Sequence, residues 1–212
     1  MFGKKKIAML VAEFLGTYAL ASAVLAMASR TSFPFFGAAA AGIALALMVL
    51  VIGSTSGSHI NPAVTFGLWT LRKVPTNQAA AFIAVQMAGG FVALRTNQYL
   101  MNEVFENTAT TNWDWRVVLA EAIGTFVFTF GIAAAVYKAY EGAQLAATIG
   151  ASLFVGVLLA SFGAAGALNP AVALGVNSWS ASYIVAPLVG AAIGMNLYKY
   201  LFAAPQPKRR VK

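Results

Sequence analysis

The chain has 212 residues, 60% of them hydrophobic and only 9% charged, with a formal net charge of +8. A soluble domain carries about 25% charged residues, so this composition excludes an ordinary water-soluble globule. Cysteine is absent, which removes disulfides and thiolate metal sites, and neither a metal nor a cofactor is expected.

The first apolar run, 7–28, follows Lys4, Lys5 and Lys6 and holds Glu13 inside it. Its charge pattern resembles a signal peptide, but no small-residue cleavage site ends it and five further apolar runs follow. It is therefore read as a span. The later runs are 36–56, 78–100, 115–138, 143–163 and 182–203. Each is close to the length, about 20 residues, that crosses a bilayer core. Two shorter segments, 61–70 and 169–178, begin with Asn-Pro-Ala. They are too short to span and too apolar for solvent loops. A re-entrant half-helix suits them, its broken end facing protein or a water-filled cavity. The fold class is an all-α membrane protein with six transmembrane helices and two half-helices. Residues 1–204 read as a single membrane domain and 205–212 as a basic cytoplasmic tail.

The chain repeats itself. Asn61-Pro62-Ala63 returns as Asn169-Pro170-Ala171, and Ala12-Glu13-x-x-Gly16-Thr17 returns as Ala120-Glu121-x-x-Gly124-Thr125, both offset by 108 residues. Each copy, 7–100 or 115–203, holds three spans, an odd number. The second copy therefore enters the membrane from the opposite side, giving an inverted 3+3 repeat joined by an outer loop, 101–114. Such repeats place the working site at their interface near the bilayer midplane.

Charge placement agrees with this topology. Lys4, Lys5, Lys6, Arg72, Lys73, Lys138, Lys199, Lys208, Arg209, Arg210 and Lys212 fall on one side, while Arg30, Glu103, Glu106 and Asp114 fall on the other, with Arg116 near that boundary. This positive-inside bias puts both termini in the cytoplasm. The basic ends meet membrane lipid headgroups rather than nucleic acid. Trp113 and Trp115 fit an aromatic belt at the outer interface. Small residues such as Gly42, Gly150, Gly190 and Gly194 favour close helix crossings.

The repeated residues suggest a chemistry. Proline at the first helical position loses no hydrogen bond, and asparagine before it is a good N-cap. The caps would hold the side-chain carbonyls of Asn61 and Asn169 and turn their NH2 groups toward open space. Ala63 and Ala171 keep the wall short where the half-helices meet. Two amide donors backed by two positive helix ends favour a neutral solute and repel a cation. Glu13 and Glu121 lie too deep in apolar runs for surface groups. Each is expected to accept hydrogen bonds from backbone amides before the half-helices, in 54–60 and 164–168. A proton relay is the competing role. His59 either lines the cytoplasmic entrance or packs as a hydrogen-bonded histidine. Arg95 has three readings: snorkelling to headgroups, contacting a carboxylate or neighbouring subunit, or turning into the passage.

Glu13-Phe-Leu-Gly-Thr17, Ser56-Gly-Ser-His59-Ile-Asn61-Pro-Ala-Val-Thr65, Gln86, Glu121-Ala-Ile-Gly-Thr125 and Asn169-Pro-Ala171 together resemble the aquaporin, or major intrinsic protein, family. The resemblance covers almost the whole chain. It implies a pore in every subunit of a homotetramer, in the cell membrane, with passive passage of water or small neutral solutes and no cofactor. One departure stands out. Family members usually place arginine directly after the second Asn-Pro-Ala, where this chain has Val172. Mapped by distance from the triplets, the other outer-filter positions are Ala41, Val157 and Gly166, with Gly156 an alternative to Val157. The implied filter is wide and apolar. Arginine supplies a fixed charge and donors that replace a solute's hydration; valine supplies neither. The expected function is a passive channel for water and small uncharged solutes. An alternating-access transporter and a non-conducting structural protein of the same fold are the rivals. No nucleophile–histidine–acid cluster or phosphate loop points to an enzyme.

Overall fold

The computed structural model describes residues 3–109 and 111–203; the expected basic tail, 205–212, lies outside the described residues. Eight helices follow in order: α1 (Lys4–Ala28), α2 (Pro34–Ser56), α3 (Pro62–Thr70), α4 (Thr76–Met101), α5 (Trp115–Tyr137), α6 (Gly142–Ala160), α7 (Pro170–Gly175) and α8 (Ala181–Leu201). Six are long and apolar enough to cross a membrane. The other two, α3 and α7, have 9 and 6 residues. No strand occurs among the described residues. With six crossings between them, Gly3 and Ala203 share one side, the terminal side. The 102–114 loop lies on the opposite, or loop, side.

The two halves are built alike. α1 packs on α2 and α4, α5 packs on α6 and α8, and α2 crosses α6 between the halves. α3 rests on α8, and α7 rests on α4, so each half-helix also packs against the third span of the other half. Helices in lipid gain little from burying apolar surface against one another, so association relies on close packing. Gly42 and Gly150 supply it where α2 crosses α6. A Cβ on Gly42 would stand 2.8 Å from the Gly150 carbonyl oxygen, and one on Gly150 would stand 2.6 Å from that of Gly42. These glycines are themselves a pair at the 108-residue offset.

Two helix ends differ from the sequence expectation. The span expected over 143–163 stops at Ala160. Hydrogen-bonded turns follow, Gly163 and Ala164 N–H donating to Ala160 O at 3.1 and 2.9 Å; beyond them Gly166 and Leu168 adopt left-handed φ of 70° and 50°, and the Ala167 and Leu168 amides donate to Glu121. The half-helix expected over 169–178 is only Pro170–Gly175. A Schellman-type end stops it: Asn177 has φ of 54°, its N–H donates to Leu174 O at 3.1 Å, and Ser178 N–H donates to Ala173 O at 2.8 Å. Such a turn satisfies carbonyls that the helix would leave unpaired.

The loop between the halves is clamped to the end of α7. Thr108 N–H donates to Asn177 O at 2.9 Å. Asn107 donates to Trp179 O at 2.9 Å and accepts from Trp179 N–H at 3.1 Å. The clamp holds the second re-entrant segment from the loop side.

Candidate functional site

Both half-helices start as the sequence suggests. Asn61 Oδ1 accepts from Ala63 N–H at 2.7 Å. Asn169 Oδ1 accepts from Ala171 N–H at 2.9 Å and from Val172 N–H at 3.3 Å. Pro62 and Pro170 occupy the first helical positions. The caps leave each NH2 group aimed at the opposite half. Asn61 Nδ2 donates to Leu168 O at 2.9 Å, and Asn169 Nδ2 donates to Ile60 O at 3.0 Å. The expectation that both NH2 groups face only open space is corrected here. One hydrogen of each ties the halves together, leaving one for a solute. Ile60 and Leu168 have φ of 40° and 50°, and that left-handed backbone accompanies carbonyls directed across the junction.

Glu13 and Glu121 hold these strained segments. Glu13 Oε1 accepts from Ser56 Oγ at 2.6 Å and His59 N–H at 3.0 Å; Oε2 accepts from Ile60 N–H at 2.6 Å and Gln86 Nε2 at 2.8 Å. Glu121 accepts from Ala167 N–H at 2.9 Å and Leu168 N–H at 2.7 Å. The second network is thinner for a readable reason. Ser56 is matched by Ala164 at the repeat offset, so its hydroxyl is lost there. Both carboxylates are fully buried, and their partners are amides together with the Ser56 hydroxyl.

A cavity of about 310 Å³ runs between the halves from the loop side to this junction. Thr31, Ser32 and Phe33 surround its mouth, and His59, Asn61 and Asn169 line its deep end. Ala41, Val157, Gly166 and Val172 all line it. Of the neighbours Gly156 and Val157, Val157 is the one on the wall; a Cβ on Gly156 would instead meet the Gly124 carbonyl oxygen at 2.6 Å. Ala63 and Ala171 do not line the cavity and are fully buried. They act by letting the half-helices seat, not by forming the wall. No Asp, Glu, Lys or Arg is among the lining residues.

Arg95 is not on that wall either. Its side chain is exposed, reaches Gln98 Oε1 at 3.2 Å and lies 5.3 Å from the Phe91 ring centroid. It does not replace the absent filter arginine.

His59 is hydrogen-bonded and lines the deep end of the cavity that opens on the loop side, which is not the terminal-side entrance expected for it. Its ring meets Phe82 edge-on at 5.3 Å. Nδ1 lies 3.1 Å from Thr65 Oγ1. Thr65 and Gln86 form a relay that sequence reasoning missed as part of the site. Glu13 only accepts, so it orients the Gln86 amide nitrogen toward itself. The other hydrogen of Gln86 Nε2 goes to Thr65 Oγ1 at 2.9 Å. The Thr65 hydroxyl has two acceptors in reach, Gln86 Oε1 at 3.4 Å and His59 Nδ1 at 3.1 Å; donation to the nearer one places the ring proton on Nε2. Because His59 is the only histidine, NMR of ring-nitrogen-labelled protein reads it directly. The expected spectrum has an unprotonated Nδ1 and a protonated Nε2, and Thr65→Val is expected to populate both tautomers. The reverse assignment in the unsubstituted protein would contradict the relay.

Comparison with known proteins agrees with this architecture. Residues 3–198 match the family model for the major intrinsic protein family. Aquaporin NIP1-1 of Zea mays is 31% identical, over 95% of this chain and 77% of that protein. Nodulin-26 of Glycine max is 31% identical, over 93% of this chain and 79% of that protein. Aquaporin AqpM of Methanothermobacter thermautotrophicus is 30% identical, over 76% of this chain and 74% of that protein. The X-ray structure of the aquaglyceroporin from Plasmodium falciparum shares the fold, with a TM-score of 0.74 at 21% identity, covering 92% of this chain and 96% of that one. On the strength of the family match across nearly its full length, the chain belongs to the major intrinsic protein family, multi-pass membrane channels for water and small solutes.

Proposed function

We propose that this chain conducts water and small uncharged solutes through the cavity described above, past a wide and apolar outer filter. The carrying observation is that Ala41, Val157, Gly166 and Val172 line the cavity above the Asn61–Asn169 pair, with no charged side chain on the wall. A solute passing such a filter keeps part of its hydration and finds no fixed cation to replace the rest. Exclusion of protons and cations then rests on the Asn61 and Asn169 amides and the two half-helix N-termini. The basic residues on the terminal side support a cytoplasmic location for both ends, in the cell membrane. Residues 1–204 act as one channel domain of two inverted repeats. The family likeness supports assembly as a homotetramer with one passage in each subunit.

Stopped-flow measurements on reconstituted liposomes test this reading. Permeability to water, glycerol and urea is expected to rise above that of empty vesicles, with no rise in proton leak. Passage of water with exclusion of both larger solutes would contradict the wide filter. Saturable, ion-coupled uptake would indicate an alternating-access transporter, and absence of any flux would indicate a structural protein of the same fold.

A further inference from the structure

The repeat that makes the site also gives every outer position an inner counterpart. At the 108-residue offset, Ala41, Val157, Gly166 and Val172 correspond to Ile149, Val49, Ser58 and Val64. The outer set lines the cavity; none of the inner set does. Near the centre the correspondence is kept, because Leu20 and Phe128, Leu45 and Leu153, and Asn61 and Asn169 all line it as pairs. The asymmetry therefore begins below the asparagines. The open space stops at His59, while Val49, Val64, Ile149 and Ser58 are buried at 6%, 3%, 8% and 5% exposure. Gly57, the residue before Ser58, is exposed again. Along this segment the closed stretch therefore lies between the cavity-lining His59 and the exposed Gly57.

We infer that this inner ring, Val49, Val64 and Ile149 closed by Ser58 and His59, is the channel's selectivity constriction. The inference rests on the proposed conduction through this cavity. The substitutions explain why the narrow point moves inward. Outside, an alanine and a glycine stand where the inner ring has Ile149 and Ser58. The three apolar inner residues belong to the same buried cluster as Leu45, Leu153 and Phe128 on the cavity wall. Hydrophobic constrictions regulate passage by losing water. Two polar groups interrupt this one. Ser58 Oγ is buried without a hydrogen-bond partner among the described residues, a state that a passing water or solute hydroxyl relieves. The His59 edge carrying Nε2 faces Gly57, where an added Cβ would stand 3.2 Å away. These groups offer one acceptor and one donor to a solute crossing in single file. The class selected is a small neutral molecule able to form hydrogen bonds, with its size limit set inside rather than outside.

The test compares matched positions in liposomes, reading the ratio of glycerol to water permeability. Val49→Ala and Ile149→Ala, which remove two and three carbons, are expected to raise the ratio roughly tenfold or more, since even one methylene in a tight apolar site changes discrimination by about tenfold. Val157→Ala, the outer counterpart of Val49, is expected to raise it less. Ile43→Ala, on the exposed face of α2, serves as the control. Val49→Thr keeps the side-chain shape and is expected to increase water permeability several-fold by wetting the ring, so the proposal remains testable if the alanine variants misfold. Flux in the inner variants alone would mark the ring as a closed seal in a non-conducting protein and overturn its assignment as a selectivity constriction. A larger ratio change from Val157→Ala, or unaltered ratios and water flux in every inner variant of a conducting channel, would overturn it. If no variant passes water above empty vesicles, conduction itself fails, and the inference with it.

Discussion

Replacing Glu13 with alanine is expected to prevent stable folding. The substitution strands four buried donors, on Ser56, His59, Ile60 and Gln86. An unsatisfied buried donor costs about 1–3 kcal/mol, and a folded domain has only about 5–15 kcal/mol in total. Glu121→Ala strands two donors, on Ala167 and Leu168, and is expected to be milder. Glu13→Gln does not rescue, because one of its two oxygens becomes an NH2 facing two donors. Thermal unfolding in detergent should give the order unsubstituted, then Glu121→Ala, then Glu13→Ala. Equal or reversed effects would show that the carboxylates are not bracing the strained segments in the way these bonds indicate.

Val172→Arg is expected to convert the selectivity at the outer end. The guanidinium would project into the cavity beside Ala41 and Gly166, which leave room for it; Ala164 and Ala165 line the same cavity. It would narrow the passage and add a fixed positive charge. Glycerol and urea permeabilities are expected to fall by roughly tenfold or more, with water permeability reduced far less. This prediction is compatible with a native constriction at the inner ring, because adding arginine creates a second narrow point. An unchanged solute-to-water ratio in a folded variant would show that position 172 does not face the path.

Much of this site was legible because its chemistry is local. An asparagine before a proline, followed by a short apolar run, specifies an N-capped half-helix wherever it sits. A carboxylate 48 residues before each asparagine, deep in an apolar span, has few uses besides accepting amides. The missed features all depend on what meets in space. The crossed ties from Asn61 to Leu168 and from Asn169 to Ile60 join opposite halves, so neither repeat contains the information alone. The Thr65–Gln86 relay requires α3 and α4 to be adjacent. The early stop of α7 comes from a local signal that was present but overlooked, since asparagine tolerates the left-handed turn found at Asn177. The inner ring was also present in the repeat, but only the shape of the cavity distinguishes it from the outer one.

Conduction requires a wet passage that reaches the paired half-helices. Because the chain has no cysteine, a single introduced thiol tests it cleanly. Val172→Cys, on the cavity wall, is compared with Ala173→Cys, which is fully buried and off that wall. A water-soluble thiol reagent added to the outside is expected to modify position 172 rapidly and block water flux, while position 173 stays protected. Protection of both thiols in folded, reconstituted protein would mean that the Asn61–Asn169 junction is sealed in dry packing, and the proposed path would not exist.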